Sequence, residues 1–180
     1  MTLDENGIPE TAVGRVEIAK KIIETAKQYG IDKNDLIFDT LCLSVSADKN
    51  AAVTTLEAMS IIKNELGCNT TLGVSNISFG LPQRDVINST FFTMALQKGL
   101  SAAIMNPYSA QMMSAYYAFN ALSGTDENCS SYIDFAGTLT VSSALNTTAA
   151  QKTQTAASSP LQEAIIKGLK DRSEEHTSEL

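Results

Sequence analysis

Three glycines recur along the chain at nearly even intervals, and that spacing limits what it can fold into. Gly30, Gly67 and Gly99 each follow a helical run; 37 residues separate the first pair and 32 the second. Such an interval holds one strand, one helix and two loops. Residues 12–29 read as an amphipathic helix with Val16, Ala19, Ile23 and Ala26 on one face. Thr11 is placed to cap its start, and Gly30 to end it in a left-handed conformation. Residues 36–45, LIFDTLCLSV, are apolar nearly throughout, as strands buried on both faces of a parallel sheet are. Helices over 51–66 and 85–98, strands over 70–74 and 101–105, and a last helix over 109–122 complete the pattern. Alternation of this kind predicts an α/β fold with a parallel sheet, either barrel or doubly wound.

The remaining sequence differs in kind. Residues 137–159 are dominated by Ser, Thr and Ala, too poor in bulky apolar groups to offset their ordering entropy, and read as linker. After Pro160, LQEAIIKGLKD (161–171) begins a new amphipathic helix with Leu161, Ile165 and Leu169 in register. RSEEHTSEL, residues 172–180, reads as a sequencing-library adapter translated in frame and is set aside from the fold. His176, the one histidine, goes with it. The domain division is therefore 1–123, a linker over 124–159, a helical start over 160–171, and the scar.

A net charge of −7, with no Lys/Arg cluster, speaks against nucleic acid and against an anionic membrane surface. Cys42, Cys68 and Cys129 are odd in number and never spaced as Cys-x-x-Cys, which supports neither a disulfide framework nor a zinc site. No apolar run reaches the roughly 20 residues that cross a bilayer, and the acidic first ten residues are no signal peptide. A reducing cytoplasm fits best.

In a parallel α/β fold, ligand groups gather at the C-terminal ends of strands. Asp39 lies inside the apolar run LIFDTLCL, where a carboxylate needs donors. It is either a structural acid bonded to backbone or a ligand anchor. VSNISFGLPQR, residues 74–84, turns small and polar as its strand ends. There Asn76 offers a donor and an acceptor on one amide, and Arg84 a fixed fork for a carboxylate; a turn held by Asn and Ser bonds is the other reading. Asn106, before Pro107, is a third candidate, or caps the last helix. Phosphate-loop, dinucleotide and nucleophile-elbow motifs are absent from the sequence.

LGVSNISFGLPQRDVINSTF, residues 72–91, closely resembles the signature of the pterin-binding barrel of cobalamin-dependent methionine synthases and of methyltetrahydrofolate:corrinoid methyltransferases. GLSAAIMNP (99–107) and DENGIPETAVGRVEIAKKI (4–22) resemble neighbouring stretches, so the likeness covers about residues 1–122. LQEAIIKGLKD looks like the first helix of the bundle that caps cobalamin. The resemblance implies the C-terminal half of a (β/α)8 TIM barrel. Residues 1–4 would be the tip of its fifth strand, and 36–45, 70–75 and 101–105 its sixth to eighth. The chain would then be a gene fragment that lacks the first four strands.

The resemblance also implies methyl transfer from methyltetrahydrofolate to a reduced cobalamin as part of a methionine synthase that methylates homocysteine, preferred because of residues 161–171. It brings a folate as ligand and a corrinoid-binding domain or protein as partner, with no activity expected of the fragment alone. Zinc would belong only to a domain upstream. Asn76 would hydrogen-bond the pterin around its methyl-bearing nitrogen, and Asp39 would grip the pterin's amino and ring N–H edge. Ser78, Gly80 and Arg84 would shape the loop beside the pterin, with Asn106 a weaker assignment. A stand-alone corrinoid-protein methyltransferase, an inactive fragment that only binds pterin, and dihydropteroate synthase are the alternatives; the last lacks the SNISFGLP stretch.

Overall fold

The computed structural model describes residues 1–139. Contacts divide the chain into Met1–Ile133 and Asp134–Leu180. Of the second unit only 134–139 are described, and they are helical. The helix expected over 161–171 and the segment 172–180 lie outside the described residues.

Helix α1 spans Ala12–Gln28. The Thr11 hydroxyl accepts from the Gly14 N–H at 3.1 Å, satisfying one free donor of the first turn. At the far end Gly30 takes φ +76, and the Ile31 N–H returns to the Ala26 carbonyl. Strand β1 is Ile37–Asp39, α2 is Ala51–Asn64, and β2 is Asn69–Gly73. Helix α3 follows at Arg84–Gln97, β3 at Ala102–Ile104 and α4 at Ala110–Leu122.

The three strands form one parallel sheet in the order β1-β2-β3. Asp39 lies beside Thr71, and Gly73 beside Ile104. Alternate side chains separate the two faces. Phe38, Thr70 and Leu72 are buried beneath the helices. Phe38 packs with Val16, Ala19 and Ile62, while Leu72 packs with Met59, Phe91, Phe92 and Met112. On the opposite face Ile37 is 53 % and Ile104 65 % exposed, so none of the described helices covers it. The N-terminal residues adjoin the β1 end of the sheet, where the Thr2 N–H donates to the Asp39 carbonyl at 3.0 Å.

Two expectations need correction. The run 36–45 is not one strand: pairing ends at Asp39, and the backbone turns left-handed at Leu41, φ +61. The apolar residues beyond it serve the helical side instead, Cys42 joining the cluster around Leu56 and Met59. The sequence from 124 onward also does not begin as plain linker. A 3-10 turn, Glu127–Cys129, leads into helix over 130–139, and the Asp126 carboxylate accepts from the Ser131 and Tyr132 N–H groups. Those bonds hold the Asp126 carboxyl below its usual pKa.

Candidate functional site at the strand ends

Asp39 is the last residue of β1, half-buried on the uncovered face of the sheet. One carboxylate oxygen, Oδ1, accepts the Leu41 N–H at 2.9 Å. The other has no partner among the described residues. Asp39 is therefore not an acid sealed within a strand; it stands at a strand tip with acceptor capacity left over.

Asn76 comes from the next strand. After Gly73 the chain winds into a 3-10 turn over Val74–Ser78, which lifts Asn76 above the end of β2. Its amide folds back over Gly73, with Nδ2 3.1 Å from where a glycine Cβ would stand. Gly73 shares the uncovered face with Thr71, the neighbour of Asp39. Strands lie about 4.8 Å apart and rise about 3.3 Å per residue, so Asp39 and Gly73 are about 8 Å apart between Cα atoms. The Asn76 side chain is exposed and makes no hydrogen bond among the described residues. The two candidates thus share one end and one face of the sheet.

The loops carrying them are tied together. The Val45 N–H donates to the Ile77 carbonyl at 3.0 Å, and the Ser44 and Ser46 hydroxyls both reach the Phe79 carbonyl at 2.7 Å. Gly80, φ +77, passes so close that a Cβ would stand 3.2 Å from Ser46 Oγ. Ser78 is fully buried and accepts from Arg84 Nε at 2.9 Å, while Arg84 Nη2 donates to the Ser75 carbonyl at 2.9 Å. Arg84 also lies over the Phe79 ring, 4.6 Å from its centroid. Its fork is engaged in holding the loop, so Arg84 and Ser78 work as a brace beside Asn76.

Asn106 stands apart from this brace. It is exposed past the end of β3, and its Oδ1 accepts from the Tyr108 N–H at 3.0 Å, turning the chain toward α4. The cap of α4 is Ser109, whose hydroxyl accepts from the Met112 N–H.

Sequence reasoning passed over Arg15. Its side chain is 1 % exposed. Nη1 donates to the Thr40 and Leu41 carbonyls at 2.8 and 2.9 Å and to Thr55 Oγ1 at 3.1 Å, and Nε to the Pro9 carbonyl at 3.0 Å. Burial lowers its pKa, while nearby Cys42 and Asp48 act the other way. No local pattern announces this residue, because its acceptors come from main chain up to 26 residues away. Ser44 and Ser46 were missed for the same reason, since the Phe79 carbonyl they share lies far along the chain.

Among the described residues no group of His, Cys, Asp and Glu could hold a metal ion, and no helix is long and apolar enough to cross a membrane. The chain is 35 % identical over 135 residues to a methylcorrinoid:tetrahydrofolate methyltransferase of Eubacterium limosum, covering 73 % of this chain and 49 % of that protein. It is also 35 % identical over 114 residues to a methionine synthase of Mycobacterium tuberculosis and 32 % identical over 114 to that of Mycobacterium leprae. Each match covers 59 % of this chain and 10 % of the relative, so the chain spans half or less of the relatives it matches. The family described as pterin binding enzyme matches residues 1–106, the stretch that builds β1, β2, β3 and the loops holding Asp39 and Asn76. The chain belongs to the pterin binding enzyme family.

Proposed function

We propose that this chain holds the pterin of methyltetrahydrofolate at the C-terminal ends of its strands, within a methyltransferase that passes the methyl group to a corrinoid. The observation that carries the reading is the placement of Asp39 and Asn76 on one end and one face of the sheet, each with unused hydrogen-bonding capacity. A carboxylate with a spare oxygen accepts the paired N–H groups of a pterin's amino edge. An exposed amide beside it can hydrogen-bond the methyl-bearing nitrogen. That bond strengthens as the nitrogen departs, and so lowers the barrier rather than only tightening binding. The corrinoid, when bound, supplies a cobalt centre that accepts the methyl group. The loops past the strand ends, with Phe79 54 % exposed after β2 and Tyr108 93 % exposed after β3, suit an acceptor brought by another domain or protein.

In this reading the uncovered sheet face is the interior of a (β/α)8 barrel of which this chain forms the C-terminal half. Two homes for the module compete. The helix expected at 161–171, read as the start of a cobalamin cap, favours a cobalamin-dependent methionine synthase. The broader match to the methylcorrinoid:tetrahydrofolate methyltransferase favours a stand-alone transferase. A cobalamin-binding sequence encoded after Asp171 selects the first, and its absence selects the second.

Titration with methyltetrahydrofolate of the full-length protein, in which this chain is joined to the rest of its barrel, tests the site directly. Asp39→Asn should weaken binding about 10–100-fold, the cost of losing a charged hydrogen-bond partner. Asn76→Ala should slow single-turnover transfer to added cob(I)alamin about 100-fold, with a smaller effect on affinity. Unchanged affinity in the first variant and unchanged rate in the second would overturn the proposal.

A further inference from the structure

We propose that Arg15 is a positioning residue for the Asp39 carboxylate, acting through the left-handed turn at Leu41. The inference rests on the reading of Asp39 as a pterin anchor.

A buried guanidinium normally meets a carboxylate, because leaving its charge uncompensated is costly. Among the described residues Arg15 bonds to none; apart from Thr55 its acceptors are main-chain carbonyls, and two of them, on Thr40 and Leu41, follow Asp39 directly. The rigid fork therefore sets the path of the backbone just past the strand end. Leu41 sits at φ +61, a left-handed conformation in which the Cβ of an L-residue crowds the backbone. Its carbonyl is held there from two sides, by Arg15 Nη1 at 2.9 Å and by Thr55 Oγ1 at 3.3 Å. The same turn aims the Leu41 N–H at Asp39 Oδ1, 2.9 Å away. From the other direction the Thr2 N–H fixes the Asp39 carbonyl. One carboxylate oxygen is thus pinned and the other left open on the uncovered face. Without Arg15 the turn relaxes, the N–H leaves, and the carboxylate rotates freely, so the entropy of orienting it falls on ligand binding.

The experiment compares, in the full-length protein, wild type, Arg15→Met, Asp39→Asn and the double variant. Two readouts are taken, calorimetric affinity for methyltetrahydrofolate and hydrogen exchange at the Leu41 amide. Arg15→Met should weaken binding about tenfold when Asp39 is present and by less than about twofold when it is Asn. Its Leu41 amide should exchange faster while the core amides of β2 stay protected. Arg15→Lys, which keeps a donor without the fork, should recover part of the affinity. An equal loss in both backgrounds, or an unchanged Leu41 exchange rate in a folded variant, would overturn the inference. Should Arg15→Met not fold, Arg15→Lys takes its place with the same two outcomes. If wild type and Asp39→Asn bind equally, or neither binds, the pterin-anchor reading fails; Leu41 exchange then decides the positioning role alone.

Discussion

The Asn76 amide lies across Gly73, its Nδ2 3.1 Å from the place a β-carbon on Gly73 would take. The Gly73 backbone, at φ −77 and ψ 83, needs no glycine for its own conformation. A methyl group there should therefore leave the fold intact and push the amide aside by a few tenths of an ångström. We expect Gly73→Ala to lower methyl transfer about tenfold with little change in thermal midpoint, since small misplacements of a catalytic group are costly. Steady-state rates beside a melting curve check it; a large fall in midpoint with normal turnover would contradict it.

Arg84 braces the loop beneath Asn76 through Ser78, the Ser75 carbonyl and the Phe79 ring. Arg84→Met keeps the stem and removes the donors. Because the side chain is exposed, a loss of only about 1 kcal/mol is expected, measured as a shift in urea midpoint. Pterin affinity should fall by a comparable factor. A variant as stable and as tight as wild type would show the brace to be idle.

The helices and their glycine stops were legible because both signals are local. The period of 3.6 places Val16 and Ala19 toward the core, and Gly30 supplies a positive φ that few other residues adopt. The parallel sheet followed from their alternation with short apolar runs. The end of β1 was not legible. LCLSV reads as a continuation of the strand, yet the structure bends it away, because Arg15 claims the Thr40 and Leu41 carbonyls. A pairing across 26 residues leaves no periodic trace. Asp39 and Asn76 were singled out because polar groups in apolar strand sequence are conspicuous. Their shared face needed the register of β1 on β2. The bonds by which Arg84 shapes its loop were not legible either: a guanidinium looks alike in sequence whether it meets a ligand or its own loop.

The three thiols should separate by reactivity. Burial pushes the Cys42 thiol up to about 12, with the Asp39 charge adding to it and Arg15 opposing, and burial also raises Cys68. Cys129 is exposed. A disulfide reagent at pH 8 should modify one thiol quickly, Cys129, and the other two only as fast as the protein opens.

The same shift gives a pH dependence. A folded-state pKa above the unfolded value adds stability that is intact below the ordinary thiol range and lost as pH rises toward about 12. Stability above pH 9 should therefore fall less in Cys42→Ala than in wild type. Equal declines in urea midpoint would refute this origin.

The sheet face carrying Ile37 and Ile104 exposes both side chains beside Asp39 and Thr71, and none of the described helices covers it. Exposed apolar faces drive association. The wild-type chain should scatter light increasingly with concentration, and Ile37→Glu with Ile104→Glu should suppress this without altering the circular dichroism. If the double variant associates equally, the contact lies elsewhere.

Arg15 belongs to one strand-helix unit and grips the loop of the next. The joint at Gly30 looks in sequence like a place where units could be exchanged between related proteins. A transplanted α1 would carry its guanidinium into a foreign interior, and a transplanted β1 would arrive with two carbonyls unclaimed. Recombination at this joint should succeed only when both sides travel together, which makes α1 and the chain that follows it through Leu41 a single unit of inheritance.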